Sequence, residues 1–549
     1  MFENICNDLA KKKPEDVQAV VIYSSADNLM EKPMFRKLLL VPLTALALTA
    51  CPVSAEPAID TAVQSDTLSF EQMRQQAEKG NRDAAYQVGT AYWQGKTVPQ
   101  DMEQAVHWWM KAAEKGHPIA QFLLGSAYHD GNGIAKDARK SVQWYQKSAR
   151  QSYPPAQYYL GQSLFNGEGI KANTTQAISW WKKAASQGYS PAQYRLGNAL
   201  YFGEGTKRDP QTAIQWWEKA AEQGNDRAQH HLGVAYYYGE GVTKDYAKAV
   251  TWFGKAVENG NVDAGYHIGR AYQEGLGLPH NDTKAIEWLT WAAEQGHSGA
   301  QNQLGTAYSL GQGVSKDNGK AIQWWEKAAE QGNAESQRHL GNAYFFGEGV
   351  GKDREKAAFW YAEASRQSDA TAQFNLAFLY GQENHAVSHD STAVSLYRQA
   401  AVQGNAQAQF NLGLAYYNGK GIPKDHQKAV GWWHTAAQQG HAKAQFFLGL
   451  ACMGGEGTER NPQLGAIWFA KAAQQGNVLA MLSLANAFRE GNGVKVSTVN
   501  AYVLVREAAG IDPDAKELLK SIQKDLTEQQ LDKAGRLTLP DVLAQVHAS

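Results

Sequence analysis

Cysteine is nearly absent. Cys6, Cys51 and Cys452 are the only three in 549 residues, too few for a disulfide framework. Neither sign of charge prevails: 53 Lys and Arg stand against 54 Asp and Glu, a formal net charge of −1. That balance leaves no chain-wide electrostatic footprint for nucleic acid or for an anionic membrane surface. No apolar run reaches the about 20 residues that a membrane-spanning helix needs. The run Leu38–Ala50, at 13 residues, suits the core of a secretory signal instead.

That run has the surroundings of an export signal. Arg36 and Lys37 precede it, and Val53-Ser54-Ala55 is an acceptable cleavage site of small residues. Leu48-Thr49-Ala50-Cys51 also resembles a bacterial lipobox, which would make Cys51 the lipid anchor and the mature N-terminus. Both processing routes stay open. Residues 1–33 are expected to be an extension ahead of the true start at Met34, 34–55 the signal, and 56–66 a linker. After processing, Cys452 has no partner and is expected to be a buried free thiol.

What the chain has in abundance is tryptophan and glycine, and both are periodic. Trp108, Trp144, Trp180, Trp216, Trp252, Trp288, Trp324 and Trp360 fall 36 residues apart; Leu396 interrupts, and Trp432 and Trp468 resume. Ten of the 17 tryptophans lie on this comb, which makes it the dominant regularity of the sequence. Glycine repeats in step from Gly89 to Gly449, with Ala377 and Ala485 as replacements. A Gly-x-Gly pair follows in most units, as at Gly203/Gly205 and Gly419/Gly421. Twelve units of 36 residues, counted from Asn81, fill residues 81–512.

Within the fourth unit, Ala192, Leu196 and Leu200 form one helical stripe and Ala213, Trp216, Trp217 and Ala220 a second. Gly203 and Gly205 break the chain between the stripes, and Gly224 caps the second helix. Gly197 sits inside the first helix, where it costs about 1 kcal/mol against Ala. Its recurrence demands a packing reason, and Trp216 is expected to fill the gap it leaves, buried between Gly197 and the next unit. One hairpin cannot bury both stripes, so the units must stack into an all-α, right-handed solenoid with a continuous core. Residues 67–80 are expected to be a capping half-repeat with Phe70 and Ala77 on its apolar face. Residues 513–549 are expected to form a helical cap with helices over Ala515–Leu526 and Thr527–Ala534. The ninth unit loses its Gly, its Trp and its Gly-x-Gly turn, so a hinge is expected there between two blocks, about residues 67–368 and 405–549.

The residues Ala408, Leu412, Gly413, Tyr416, Gly419, Gly421, Asp425, Ala429, Trp432, Trp433, Ala436, Ala437 and Gly440 display the motif nearly complete. It resembles the Sel-one-like repeat, a helical hairpin of tetratricopeptide type, over about residues 67–512. The resemblance implies a scaffold for protein complexes, and in some bacterial members a place in the envelope. A cysteine-rich branch of that family is linked to penicillin binding, but the cysteines that mark the branch are missing here.

Catalytic signals are sparse. Ser179-Trp180-Trp181-Lys182 matches the S-x-x-K of penicillin-binding enzymes, but no S-D-N or K-T-G accompanies it. Gly95-Lys96-Thr97 lacks the spacing and the preceding strand of a phosphate loop. His230, His231 and His267 lie in adjacent units without an evident Cys or acidic partner, so solvated histidines are expected rather than a metal site. No cofactor is expected. The remaining signal is variation between units on the first helix: Tyr158 and Phe165, then Tyr194, Asn198 and Tyr201, then His230 and Tyr237. In tetratricopeptide-type repeats this helix lines the concave groove, and rows of Tyr and Phe suit an extended peptide or a partner helix. The expected function is therefore a non-enzymatic envelope scaffold, in the periplasm or anchored on the periplasmic side of the outer membrane, with an envelope hydrolase as the alternative. The expected partner is a protein or peptide. Nucleic acid is not expected, and contact with a membrane is expected only through Cys51.

Overall fold

The computed structural model describes residues 69–381 and 390–547. The segments 1–33, 34–55 and 56–66, with the signal and Cys51, lie outside the described residues. Among those described, every regular element is a helix, and Phe70–Ser549 forms one unit. The molecule is an all-α solenoid of twelve helical hairpins.

Unit four shows how the sequence builds a hairpin. Its first helix is Ser190–Phe202 and its second Pro210–Glu222. Gly203 ends the first helix at φ 76°, a left-handed conformation that a side chain would strain, and its N–H returns to Ala199 O. Asp209 starts the second by accepting a hydrogen bond from the Thr212 amide. Pro at the first or second position of both helices costs no hydrogen bond. The second glycine of the pair does a different job. A Cβ on Gly205 would lie 2.6 Å from Thr174 Cβ, at the start of the preceding unit's second helix, and one on Gly169 would lie 2.2 Å from Ala138 O. The first glycine turns the chain, and the second lets one unit sit against the one before it.

The two helices of a hairpin close on the glycine inside the first. A Cβ at Gly197 would fall 2.4 Å from Cδ1 of Trp217, not of Trp216. The same offset of twenty residues pairs Gly89 with Trp109, Gly125 with Tyr145, Gly233 with Phe253 and Gly341 with Tyr361. Trp217 is 1% exposed and its indole N–H donates to Asn198 Oδ1 at 2.9 Å. The expectation for Trp216 is thus corrected by one residue. Trp216 is half-buried against a cluster containing Ala184 and Ala185 of unit three, and Lys219 Nζ stands 4.3 Å from its ring centroid. The tryptophan comb seals neighbouring second helices from the outside, and the aromatic one position later locks each hairpin from within.

A buried row of glutamines joins the units. Gln193 donates to Ala185 O, near the end of the preceding unit's second helix, and accepts from Gln223 of its own unit at 2.7 Å. Gln157, Gln301, Gln337, Gln409 and Gln445 repeat both bonds. Each amide adds a second hydrogen bond to a helix-end carbonyl that otherwise accepts only from the turn that follows, as Ala185 O does from Gly188 N–H. Gly265 breaks the row, and the space is taken by Trp291, whose ring lies 2.3 Å from where a Cβ would be.

The ninth unit keeps its packing. Its helices Ala370–Gly381 and Asp390–Val402 meet each other and both neighbours, with Leu376, Leu379 and Val394 buried, so contact through this unit is continuous; residues 382–389 lie outside the described residues. At the N-terminal end the helix Phe70–Glu78 buries Ala77 and sets Phe70 edge-on to Tyr92. At the C-terminal end follow Ala515–Lys524, Glu528–Arg536 with its Thr527/Gln530 capping box, and a third helix, Leu539–His547, absent from the sequence reading. Thr538 and Asp541 start that third helix, which packs on the second helices of units eleven and twelve through Val542 and Val546. Cys452 is a buried free thiol.

The two tryptophan roles separate by mutation. Trp217→Ala is expected to lower stability in a urea titration by about 3–5 kcal/mol, as buried aromatic deletions do, and Trp216→Ala by less than half as much. An equal or larger loss for Trp216 would reverse the assignment.

Candidate functional site

Residues on the outward face of the first helices vary between units, whereas the alanines, leucines and glycines of the inner stripe scarcely do. One row runs Tyr86, Phe122, Tyr158, Tyr194, His230, Tyr266 and, past two polar units, Phe374, Phe410 and Phe446. Several of its rings lie against the residue that opens the next unit: Tyr86 stacks on His117 at 4.5 Å, Tyr158 meets Tyr189 edge-on at 5.6 Å, and Tyr266 stacks on His297 at 4.5 Å. Each such contact covers one side of the ring, and from Tyr86 to Tyr266 the row stays half-buried.

The residues proposed from sequence divide in two. Tyr158, Phe165, Tyr194, Tyr201 and His230 are half-buried on this face. Phe165 leans on Trp181 at 5.4 Å, with the Arg195 guanidinium 5.1 Å from its ring centroid. The Tyr194 hydroxyl lies 3.4 Å from His231 Nε2, and the Tyr201 hydroxyl donates to Glu240 of the next unit. Asn198 and Tyr237 do not belong to an open face. Asn198 is 2% exposed because it accepts the Trp217 indole proton, and Tyr237 is buried with its hydroxyl donating to Glu274 Oε2 at 2.6 Å. Burial first, and the carboxylate acceptor second, push both the Tyr201 and Tyr237 hydroxyls above their ordinary pKa, so each remains a donor.

The histidines are not solvated. They cover the locking aromatic of the unit before them: His231 meets Trp217 edge-on at 4.9 Å, His267 stacks on Phe253 at 4.8 Å, and His339 stacks on Trp325 at 4.7 Å. His230 lies 5.3 Å from His267, its Nε2 buried with no hydrogen-bond partner. Desolvation in these stacks lowers His231 to about 3, His267 well below its ordinary value, and His230 and His339 in the same direction. Among the described residues no group of three or more His, Cys, Asp or Glu could hold a metal ion.

In units seven and eight the row turns polar. Asn302 donates to Glu335 Oε2 at 2.9 Å and accepts from the Ser336 hydroxyl at 2.8 Å, and Arg338 reaches Asp369 at 3.4 Å. The nearby His339 imidazole, its Nε2 3.8 Å away, then the Arg338 guanidinium and the Asn302 amide hold the Glu335 carboxyl below the usual range. The face therefore offers aromatic surface over units one to six and a charged break in units seven and eight; beyond the break Phe374, Phe410 and Phe446 are buried.

Neither sequence hint of catalysis gains support from geometry. Ser179 and Lys182 are exposed on the helix Thr174–Ser186, with no hydrogen bond between their side chains. Gly95 is the left-handed cap of the helix Arg82–Gln94, a repeat glycine in its ordinary place. No described helix is long and apolar enough to cross a membrane.

The buried histidines set an acid limit. An unfolded His binds a proton below about pH 6.5, whereas His231 in the fold stays neutral down to about 3. The stabilisation is complete above 6.5 and is lost as pH falls from there toward 3. Urea midpoints are expected to drop between pH 6.5 and 4.5, and less steeply in His231→Phe. Equal pH slopes for the two proteins would remove the histidine from the account.

A family model of the Sel1 repeat matches twelve consecutive segments, from 82–117 through 478–509, in phase with the hairpins to within a residue. Among solved structures the chain is similar to c5321, a protective antigen of uropathogenic Escherichia coli strains that displays an SLR fold. That likeness has 33% identity over 88% of this chain and 97% of the other, with a TM-score of 0.64. It is also similar to a Sel1 repeat protein from Oxalobacter formigenes, at 32% identity over 57% of this chain and 90% of the other, TM-score 0.47. No curated protein matches significantly. With its repeats matched one by one to the hairpins of the structure, the chain belongs to the Sel1 repeat family.

Proposed function

We propose that the protein is an exported, non-enzymatic scaffold of the bacterial cell envelope, binding a peptide or a partner helix along the face of its first helices. Sel1 repeat proteins are generally protein-interaction scaffolds. The observation that carries the reading is the half-buried row Tyr86, Phe122, Tyr158, Tyr194 and Tyr266: five of the first six units place a large aromatic ring on a face that the stack leaves partly open. Such rings bring apolar area at low entropic cost. The charged break at Glu335, Arg338 and Asp369 would fix the partner's register. Export rests on the sequence of residues 34–55, with the mature chain either anchored through Cys51 or free in the periplasm. The description of the Escherichia coli relative as a protective antigen is in keeping with an exported protein.

A photocrosslinking residue placed at Tyr158 or Tyr194 is expected to capture the same partner from the envelope fraction, and one at the exposed Glu258 is expected to capture none. Equal capture from Glu258, or a chain retained in the cytoplasm, would contradict the proposal.

A further inference from the structure

The even charge of the whole chain hides a local imbalance. Between Asp137 and Glu204 the sole acidic residue is Glu168, against eight Lys and Arg. Three of these cations, Arg150, Lys182 and Lys183, border one surface cavity of about 710 Å³ between units two and three. None of the three forms an ion pair with a described residue, although Lys183 Nζ also rests 4.2 Å from the Trp180 ring centroid. Ser152 and Ser179 place hydroxyl groups around the same opening, whereas the Ser186 hydroxyl there donates to Lys182 O at 2.7 Å.

Comparison of unit with unit shows that the repeat itself does not require this cavity. The last residue of the second helix is Glu114, Glu222, Glu258, Glu294 and Glu330 in units one and four to seven, but Arg150 and Ser186 in units two and three. Lys182 stands where units four and seven carry Glu218 and Glu326. Acid has been replaced by base or by a small hydroxyl at three neighbouring positions. In addition, Ser152 holds φ 63° where Gly116, Gly188 and Gly224 occupy the equivalent turns. A side chain is strained there, and strain of this kind concentrates at binding sites. The same Arg-Gln-Ser turn recurs at Arg366–Ser368, again with a left-handed serine, but there Glu363 neutralises the arginine.

We propose that this cavity is a binding site for a small molecule carrying a phosphoryl group. Its volume lies within the range of about 300–1,000 Å³ found for small-molecule sites, larger than a bare ion needs. Unpaired cations with hydroxyl donors beside them match the several acceptor oxygens of a phosphate. The site lies apart from the aromatic row and does not depend on the scaffold reading.

Calorimetric titration of the full chain with glucose 6-phosphate, and with glucose as the uncharged probe, tests the proposal. Saturable binding of the phosphate alone is expected. Arg150→Gln with Lys182→Gln should weaken it at least about tenfold, the scale of one lost charge-assisted hydrogen bond. Lys327→Gln, at the position of Lys183 in unit seven, should leave it unchanged. Ser152→Gly restores the residue that other units carry, so it should raise the melting temperature while weakening binding. No saturable binding, equal binding of glucose, or equal loss in Lys327→Gln would overturn the site.

Discussion

Everything in this molecule depends on how closely two helices can approach at one point. The glycine inside each first helix leaves no side chain there, and a single large ring from the second helix occupies the space, as Trp217 does over Gly197. The gap fixes the depth of the hairpin, and the ring fixes its angle. The identity of the group varies: Trp109, Tyr145, Trp181, Phe253 and Tyr361 serve as rings, and in unit six the aliphatic Leu289 takes the place. In unit twelve the first-helix residue grows to Ala485 and its counterpart shrinks to Val505, both buried. In unit twelve volume is thus moved from one side of the pair to the other, whereas unit nine keeps Tyr397 opposite Ala377.

Stacking adds a second layer of constraint that uses polar groups. The glutamine row joins each hairpin to the last helix end of the one before, and a histidine, arginine or aromatic from the next unit closes over the locking ring. Because each unit is locked internally and joined only to its neighbours, the outward face of the first helices carries little structural duty. That freedom lets the row run from aromatic rings to the Glu335–Arg338–Asp369 group without disturbing the stack. The same freedom on the other side of the array allows charge to reverse around Arg150 and Lys182.

Much of this was legible in the sequence. The period, the hairpins, the Gly-x-Gly turn and the need for a ring beside Gly197 all follow from spacing. The ring itself was misplaced by one residue because Trp216 belongs to the comb of identical residues, whereas the locking position varies among Trp, Tyr, Phe and Leu. A lysine three residues after seven of the ten comb tryptophans, as at Lys147, Lys183 and Lys219, marked such a ring as one at the water's edge. The glutamine comb was equally visible, but its partners are backbone carbonyls, which a sequence does not display. For the candidate face, Tyr158 and Tyr194 were legible from the variation between units. Asn198 and Tyr237 were not, since their inward turn depends on the Trp217 indole and the Glu274 carboxylate of another helix. The histidines were misread as solvated for the same reason: the rings that bury them come from the preceding unit.

The volume lock at the centre of the account is tested most directly by a double-mutant cycle in unit four. Gly197→Ala forces a Cβ into the indole, and Trp217→Val leaves a void; each alone should destabilise the array in a urea titration. Together they reproduce the Ala485 and Val505 of unit twelve. The double variant is expected to lose less stability than the two single losses added, by more than about 1 kcal/mol, since residues in direct contact couple on that scale. Losses that add to within about 0.5 kcal/mol, as for independent sites, would contradict the claim that the two positions share one space.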